Sequence, residues 1–245
     1  MRSFGKAFDV ITVLVIVEII TRTSTYLSTI LAPSLLFIDP DKAFAWSWIH
    51  HIIQLLLALG AMLLYPGIRF SDWGFNLDNR QLSLQIALKF SAGWLLFYSI
   101  GALITLKMSG QSSVYPFPYT PRNVLGYSGF MFIMPGLSEE ALFRGFVMIV
   151  LGQSWKGLIH IGKLTLPVSG LIASLIFTYA HISYTLFPFK FYFSMGQLIA
   201  AFALGIFYAI VFYKTKSLLV SMLCHNISDG LGFLIIYLLT IFMFR

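Results

Sequence analysis

The sequence predicts an all-α, polytopic membrane protein. It reads as a bundle of about seven transmembrane helices around a polar intramembrane cavity, with room for an eighth short helix. Three observations predict it. The 245 residues are 58% hydrophobic and 10% charged, against about 45–50% apolar and about 25% charged in a soluble domain. The apolar residues fall in long runs, and the mean hydropathy is +0.86. Finally, a few ionisable residues sit deep inside those runs. This composition leaves too few polar side chains to cover a soluble globule, and it excludes a disordered chain and a disulfide scaffold. The single cysteine, Cys224, has no intrachain partner for a disulfide, so it does not report the redox compartment.

A bilayer core of about 30 Å is crossed by about 20 helical residues. Seven stretches meet that length, at roughly 8–32, 45–65, 82–106, 125–152, 166–186, 193–213 and 216–243. The first follows Arg2 and Lys6 as a signal peptide would. Asp9 and Glu18 interrupt it, and no clear small-x-small cleavage site follows, so it reads as an uncleaved span. Arg22 divides it, which allows a helix followed by a shorter piece. The second begins with Trp46 and Trp48, and His50 and His51 beside them read as interfacial. Trp73 and Trp155 also lie near span ends, as anchors. In the fourth, Pro135 lacks an N–H and Gly136 weakens the helix, which predicts a break. A helix restarting after Gly136 would take Ser138 as N-cap and hold Glu139 and Glu140 in its first turn, where the dipole favours carboxylates. The last stretch contains Gly230 and Gly232 and is expected to bend. No repeat or long linker divides the chain, so residues 1–245 read as one membrane domain.

The net charge is +7, but the basic residues are scattered singly, and no nucleic-acid motif accompanies them. With seven spans, the N-terminal side holds Arg2, Lys6, Arg69, Arg80, Lys156, Lys163, Lys214 and Lys216. The other side holds Lys42, Lys107, Arg122, Lys190 and Arg245. The excess favours a cytoplasmic N-terminus in a cell membrane.

Five ionisable residues lie well inside the spans: Glu139, Glu140, His181, His225 and Asp229. Each charge at bilayer depth costs at least about 2.5–3.5 kcal/mol, and such groups mark functional sites by default. Glu140 and Arg144 are four apart and can pair on one helix face, leaving Glu139 about 100° round the helix. Phe177 and His181 share a face in the fifth span, and His225 and Asp229 share one in the seventh. Taken singly, each cluster also reads as helix-to-helix glue, and Cys224 reads as a small packing residue.

Glu-Glu-x-x-x-Arg at 139–144, Phe-x-x-x-His at 177–181 and His-x-x-x-Asp at 225–229 follow one another on separate spans. This ordered triple resembles the CPBP family of intramembrane proteases, which includes type II CAAX prenyl endopeptidases and bacterial Abi-type proteins. The resemblance covers about residues 125–235, the expected catalytic core. The third motif often ends in Asn in that family, where this chain has Asp229.

The resemblance implies that Glu139 and His181 bind and activate a water, and that His225 and Asp229 face the oxyanion. Asp229 can donate a hydrogen bond only when protonated; otherwise it orients His225. Arg144 would hold Glu140, and Phe177 would help exclude bulk water. The expected reaction is hydrolysis of a peptide bond in a membrane-anchored peptide or protein, without a cofactor. Two histidines and a glutamate are also a zinc ligand set, so a zinc protease is the alternative. His-Glu-x-x-His is absent. Rhomboid-like Gly-x-Ser-Gly fails at Glu139, and an aspartyl site fails because Asp229 has only Asp9 for company. Two non-proteolytic readings compete. One is a membrane binding or immunity protein of the same fold, and the other is a proton-relay transporter. A protease needs Glu139 and His181 within reach of one water, facing His225 and Asp229 across one cavity, whereas a relay would spread them along a path.

Overall fold

In the computed structural model, which describes residues 5–109 and 115–244, the chain is a helical bundle with two short β-hairpins. Arg2 and Arg245, used above to sort the loops, lie outside the described residues.

Helix α1 (Lys6–Leu31) runs unbroken through Arg22 into a 3-10 turn at Ala32–Leu35. The expected interruption is absent because Arg22 finds a partner one turn back, its Nε lying 3.0 Å from Glu18 Oε2. The polar run that follows is also satisfied within the helix. Ser24, Thr25, Ser28 and Thr29 each donate a side-chain hydroxyl to the carbonyl four residues earlier, which removes the cost of carrying hydroxyls in an apolar span.

Helix α2 (Ala45–Leu64) is started by Asp39, whose carboxylate accepts the amides of Ala43, Phe44 and Ala45 at 2.7, 2.9 and 2.7 Å. Helix α3 (Arg80–Ser109) follows. Helix α4 (Pro121–Glu140) opens on the Thr120 cap and continues through Pro135 without the expected break. The irregularity lies further on, in a π-helical segment, Ala141–Val147, that leads into α5 (Met148–Gly152). Ser138 is therefore no N-cap.

Strands β1 (Leu158–Ile161) and β2 (Leu164–Pro167) form an antiparallel hairpin before α6 (Val168–Ala180). Strands β3 (Ser183–Leu186) and β4 (Phe189–Tyr192) form another before α7 (Met195–Thr215). Helix α8 (Leu218–Phe244) is one uninterrupted helix across Gly230 and Gly232. Gly230 serves packing, because a Cβ there would enter the ring of Phe132 on α4.

Among the described residues five helices (α1 with its 3-10 extension, α2, α3, α7 and α8) are long and apolar enough to cross a membrane. The protein is an integral membrane protein. α4, the π segment and α5 make one continuous helical stretch, and α6 has 13 residues. Loops gather at two ends. At one end Asp9 bonds Ser154, and the α2–α3 loop meets the α7–α8 loop through Asn76 to Lys216 and Asn79 to Thr215, both 3.0 Å. At the other, Asp41 accepts from Asn123 at 2.9 Å and from Arg122 at 3.3 Å. α4 packs on α8 and α2, α6 on α7, and α3 on α8. The main core lies between them, around the wholly buried π segment. Trp73 belongs to that core. It is fully buried against Tyr65 and Phe146 rather than anchored at an interface.

Candidate active site

The π segment and its neighbours build the site. Glu140 and Arg144 are both fully buried and paired at 2.9 Å. The guanidinium also donates to the Gly205 carbonyl on α7 at 2.9 Å and lies 4.7 Å above the Phe177 ring. Arg144 therefore ties α4 to α6 and α7. Glu140 accepts a second hydrogen bond, from His225 Nδ1 at 2.8 Å. A carboxylate oxygen bonded to a guanidinium can only accept here, so His225 Nδ1 carries the proton.

The other nitrogen of His225 points at the remaining acids. Nε2 is 3.6 Å from Glu139 Oε2 and 3.5 Å from Asp229 Oδ2. Both are ion-pair distances just beyond a direct hydrogen bond. The ring is stacked on Tyr208 of α7, with centroids 4.9 Å apart, and Tyr208 is fixed by a 2.9 Å hydrogen bond to Ser228. His225 is thus held in its plane and at one edge.

Glu139 is turned away from Arg144. It lines a cavity of about 210 Å³ shared with His181, Phe143, His50, Glu18 and Arg22. His181 ends α6, and its Nδ1 is 2.8 Å from the Phe177 carbonyl. A carbonyl cannot donate, so Nδ1 carries the hydrogen and Nε2 is left for the cavity or another ligand. Phe177 packs edge-on against His181, at 4.8 Å, and His225, at 5.9 Å.

Three chain segments remote in sequence thus bring together Glu139, Glu140, Arg144, Phe177, His181, His225 and Asp229. Glu139 and His181 face one cavity. His225 meets Glu139 and Asp229, and neither His225 nor Asp229 is among the residues that line the cavity. His50 lines the cavity, stacked on Trp46, and His51 Nδ1 lies 2.6 Å from Ser138 Oγ on α4.

Sequence reasoning gave no role to several residues that shape the site. Asn226 bonds α4 beside Pro135, accepting from the Gly136 amide at 2.7 Å and donating to the Ile133 carbonyl at 3.1 Å. Its signal was an amide side chain in the middle of the third cluster. Glu18 and Arg22, four apart in a span, signalled a pair that α1 could bring to a polar cavity. Tyr208 and Gly205 left no signal in an otherwise apolar span.

Residues 121–231 match the family described as type II CAAX prenyl endopeptidase Rce1-like. This segment is similar to that family. The match falls on the part of the chain that carries the three motifs and agrees with their resemblance to the CPBP proteases. No curated protein and no solved structure matches the chain.

Proposed function

We propose that the protein is an intramembrane endopeptidase that cleaves a membrane-anchored peptide or protein, with about residues 125–235 as its catalytic core. The observation that carries this reading is the division of the glutamate pair. Glu140 is spent on Arg144 and His225, while Glu139 faces a cavity with His181.

The chemistry follows from that division. A water in the cavity sits between the Glu139 carboxylate and His181 Nε2. Glu139 accepts one of its protons as the water oxygen attacks the peptide carbonyl carbon. His225, as an imidazolium with Nδ1–H committed to Glu140, presents Nε2–H to the oxyanion, and Asp229 orients it or donates when protonated. The proton on Glu139 then passes to the leaving nitrogen, and the C–N bond breaks to give a carboxylate and an amine. Water exclusion by Phe143 and Phe177 strengthens each of these interactions.

Zinc is the alternative activator. Among the described residues no three His, Cys, Asp or Glu side chains are disposed around a common metal position. With Nδ1 of His225 on Glu140 and Nδ1 of His181 on the Phe177 carbonyl, both Nε2 atoms remain available to either activator. A binding or immunity protein gives Glu139 and His181 no chemical task, and a proton relay would spread the titratable groups along a path, whereas Glu139 and His181 line one cavity. The loop charges favour a cytoplasmic N-terminus in the cell membrane.

The test compares peptide termini in membranes of cells expressing the wild type and Glu139→Gln at matched levels. New termini confined to the wild type would identify the substrate and the cut. Identical profiles, with a phenotype persisting only in a deletion strain, would move the protein to binding or transport.

A further inference from the structure

Helix α6 is too short for the membrane it stands in. Its 13 residues span about 20 Å at 1.5 Å per residue, against a hydrocarbon core of about 30 Å. Helix α7, which packs along it, has 21 residues and reaches the full depth. The hairpin β3–β4 connects the end of α6 to the start of α7.

The register makes this hairpin amphipathic. Ser183 pairs with Tyr192 and Thr185 with Lys190 on one face, and Tyr184 pairs with Phe191 and Leu186 with Phe189 on the other. The apolar face is anchored at its root. Tyr184 donates to Glu18 at 3.0 Å, and the Arg22 guanidinium lies 4.1 Å over its ring. Beyond that anchor the face is open: Leu186, Phe189 and Phe191 are 63%, 63% and 54% exposed, and Phe187 at the tip is 96% exposed. A two-stranded hairpin is marginal on its own in water. The surfaces beside it are already apolar and outward-facing, with Ile19 and Tyr26 on α1 and Met195 and Ile199 on α7.

We propose that the hairpin β3–β4 is a membrane-docking element, with its Leu186–Phe189–Phe191 face in the acyl chains of the bilayer. Its Thr185–Lys190 face is turned to the headgroups. The lipid surface of α1 and α7 continues across it, and Lys190 supplies the snorkelling cation that such an element carries at the boundary. The open strand edges are tolerated because the hairpin lies at the interface rather than in the bilayer centre. Its root, Ala180–Ser183, is also a wall of the cavity that holds Glu139 and His181. Resting on the proteolytic reading, a substrate anchored in the bilayer meets this wall before it meets the catalytic groups.

The experiment places an environment-sensitive fluorophore on single cysteines in protein reconstituted into phosphatidylcholine–phosphatidylglycerol vesicles. Phe189→Cys and Leu186→Cys probe one face, Thr185→Cys and Lys190→Cys the other, and the wild type with its buried Cys224 gives the background. Labels at 186 and 189 are expected to lose emission in vesicles with brominated acyl chains and to resist aqueous iodide. Labels at 185 and 190 should show the reverse. Equal iodide quenching at all four positions would place the hairpin in water and overturn the proposal. Equal quenching by brominated chains would overturn the assigned faces. All four positions are exposed in the fold, so loss of folding is not the expected cause of either result. The same series in a Glu139→Gln background should give the same pattern. Failure of the docking proposal is therefore separate from failure of the proteolytic reading, which the peptide-terminus comparison decides.

Discussion

At the scale of single residues, the two adjacent glutamates should respond to mutation in opposite ways. Glu139→Gln keeps the size of the side chain and removes the base. Cleavage should fall about 10²–10⁴-fold, the usual worth of a positioned general base, while the melting temperature in detergent stays near that of the wild type. Arg144→Met leaves the Glu140 charge buried without its guanidinium and frees the Gly205 carbonyl. Breaking a buried pair in this way costs about 3–5 kcal/mol, so thermal unfolding should shift down sharply whatever the activity. If Glu139→Gln melted like Arg144→Met, the division of labour would be wrong. Metal dependence is read at the same scale: purified enzyme dialysed against a strong zinc chelator should keep its cleavage rate, and loss restored by added zinc would favour the alternative. Most of this was legible in the sequence. The spacing of four from Glu140 to Arg144 and from His225 to Asp229 fixes shared faces in any helix. The bond from His225 to Glu140 was not legible, because it depends on how α8 turns against α4.

At the scale of elements, the fourth span shows where local rules fail. Pro135 and Gly136 forecast a break, yet α4 runs through them to Glu140. The reason lies on another helix: the Asn226 amide takes the Gly136 N–H and gives one N–H to Ile133. Local propensity cannot anticipate a partner ninety residues away. Two variants separate the contributions at this joint. Asn226→Leu removes both hydrogen bonds. Interhelical bonds in membranes average about 0.6 kcal/mol each, so a loss of about 1 kcal/mol is expected. Gly136→Ala gains up to about 1 kcal/mol of helix propensity, but its Cβ would lie 2.5 Å from the Met222 carbonyl oxygen. A backbone atom cannot swing aside as a side chain can. The overpacking cost of about 1–3 kcal/mol should win, and the protein should be less stable in a detergent melt. A more stable Gly136→Ala would mean that α8 is free to move away from α4.

At the scale of the whole molecule, the loop contacts make a statement about topology that helix lengths alone do not. Among the described residues five helices are both long and apolar enough for a span; α4 has the length but is less apolar, and α6 stops short. The positions of the loops nevertheless alternate. Asp9, at the start of α1, bonds Ser154 after α5, and the α2–α3 loop bonds the α7–α8 loop. The α1–α2 loop instead bonds the start of α4 at the opposite end. We propose seven crossings, counting the α4–α5 stretch as one pass and α6 with its hairpin as another. Seven is odd, so the two termini should lie on opposite sides. A reporter active only in the cytoplasm should work when fused ahead of Lys6 and fail when fused after Phe244. A reporter active only outside should behave in the reverse way. Cytoplasmic activity at both ends would leave an even number of crossings. Because α6 is the pass that falls short, it would then be re-entrant, and the docked hairpin would have to return to the side it came from. The geometry opposes that outcome. The hairpin joins α6 to the start of α7, and α7 runs the full depth back to Lys216 beside the α2–α3 loop.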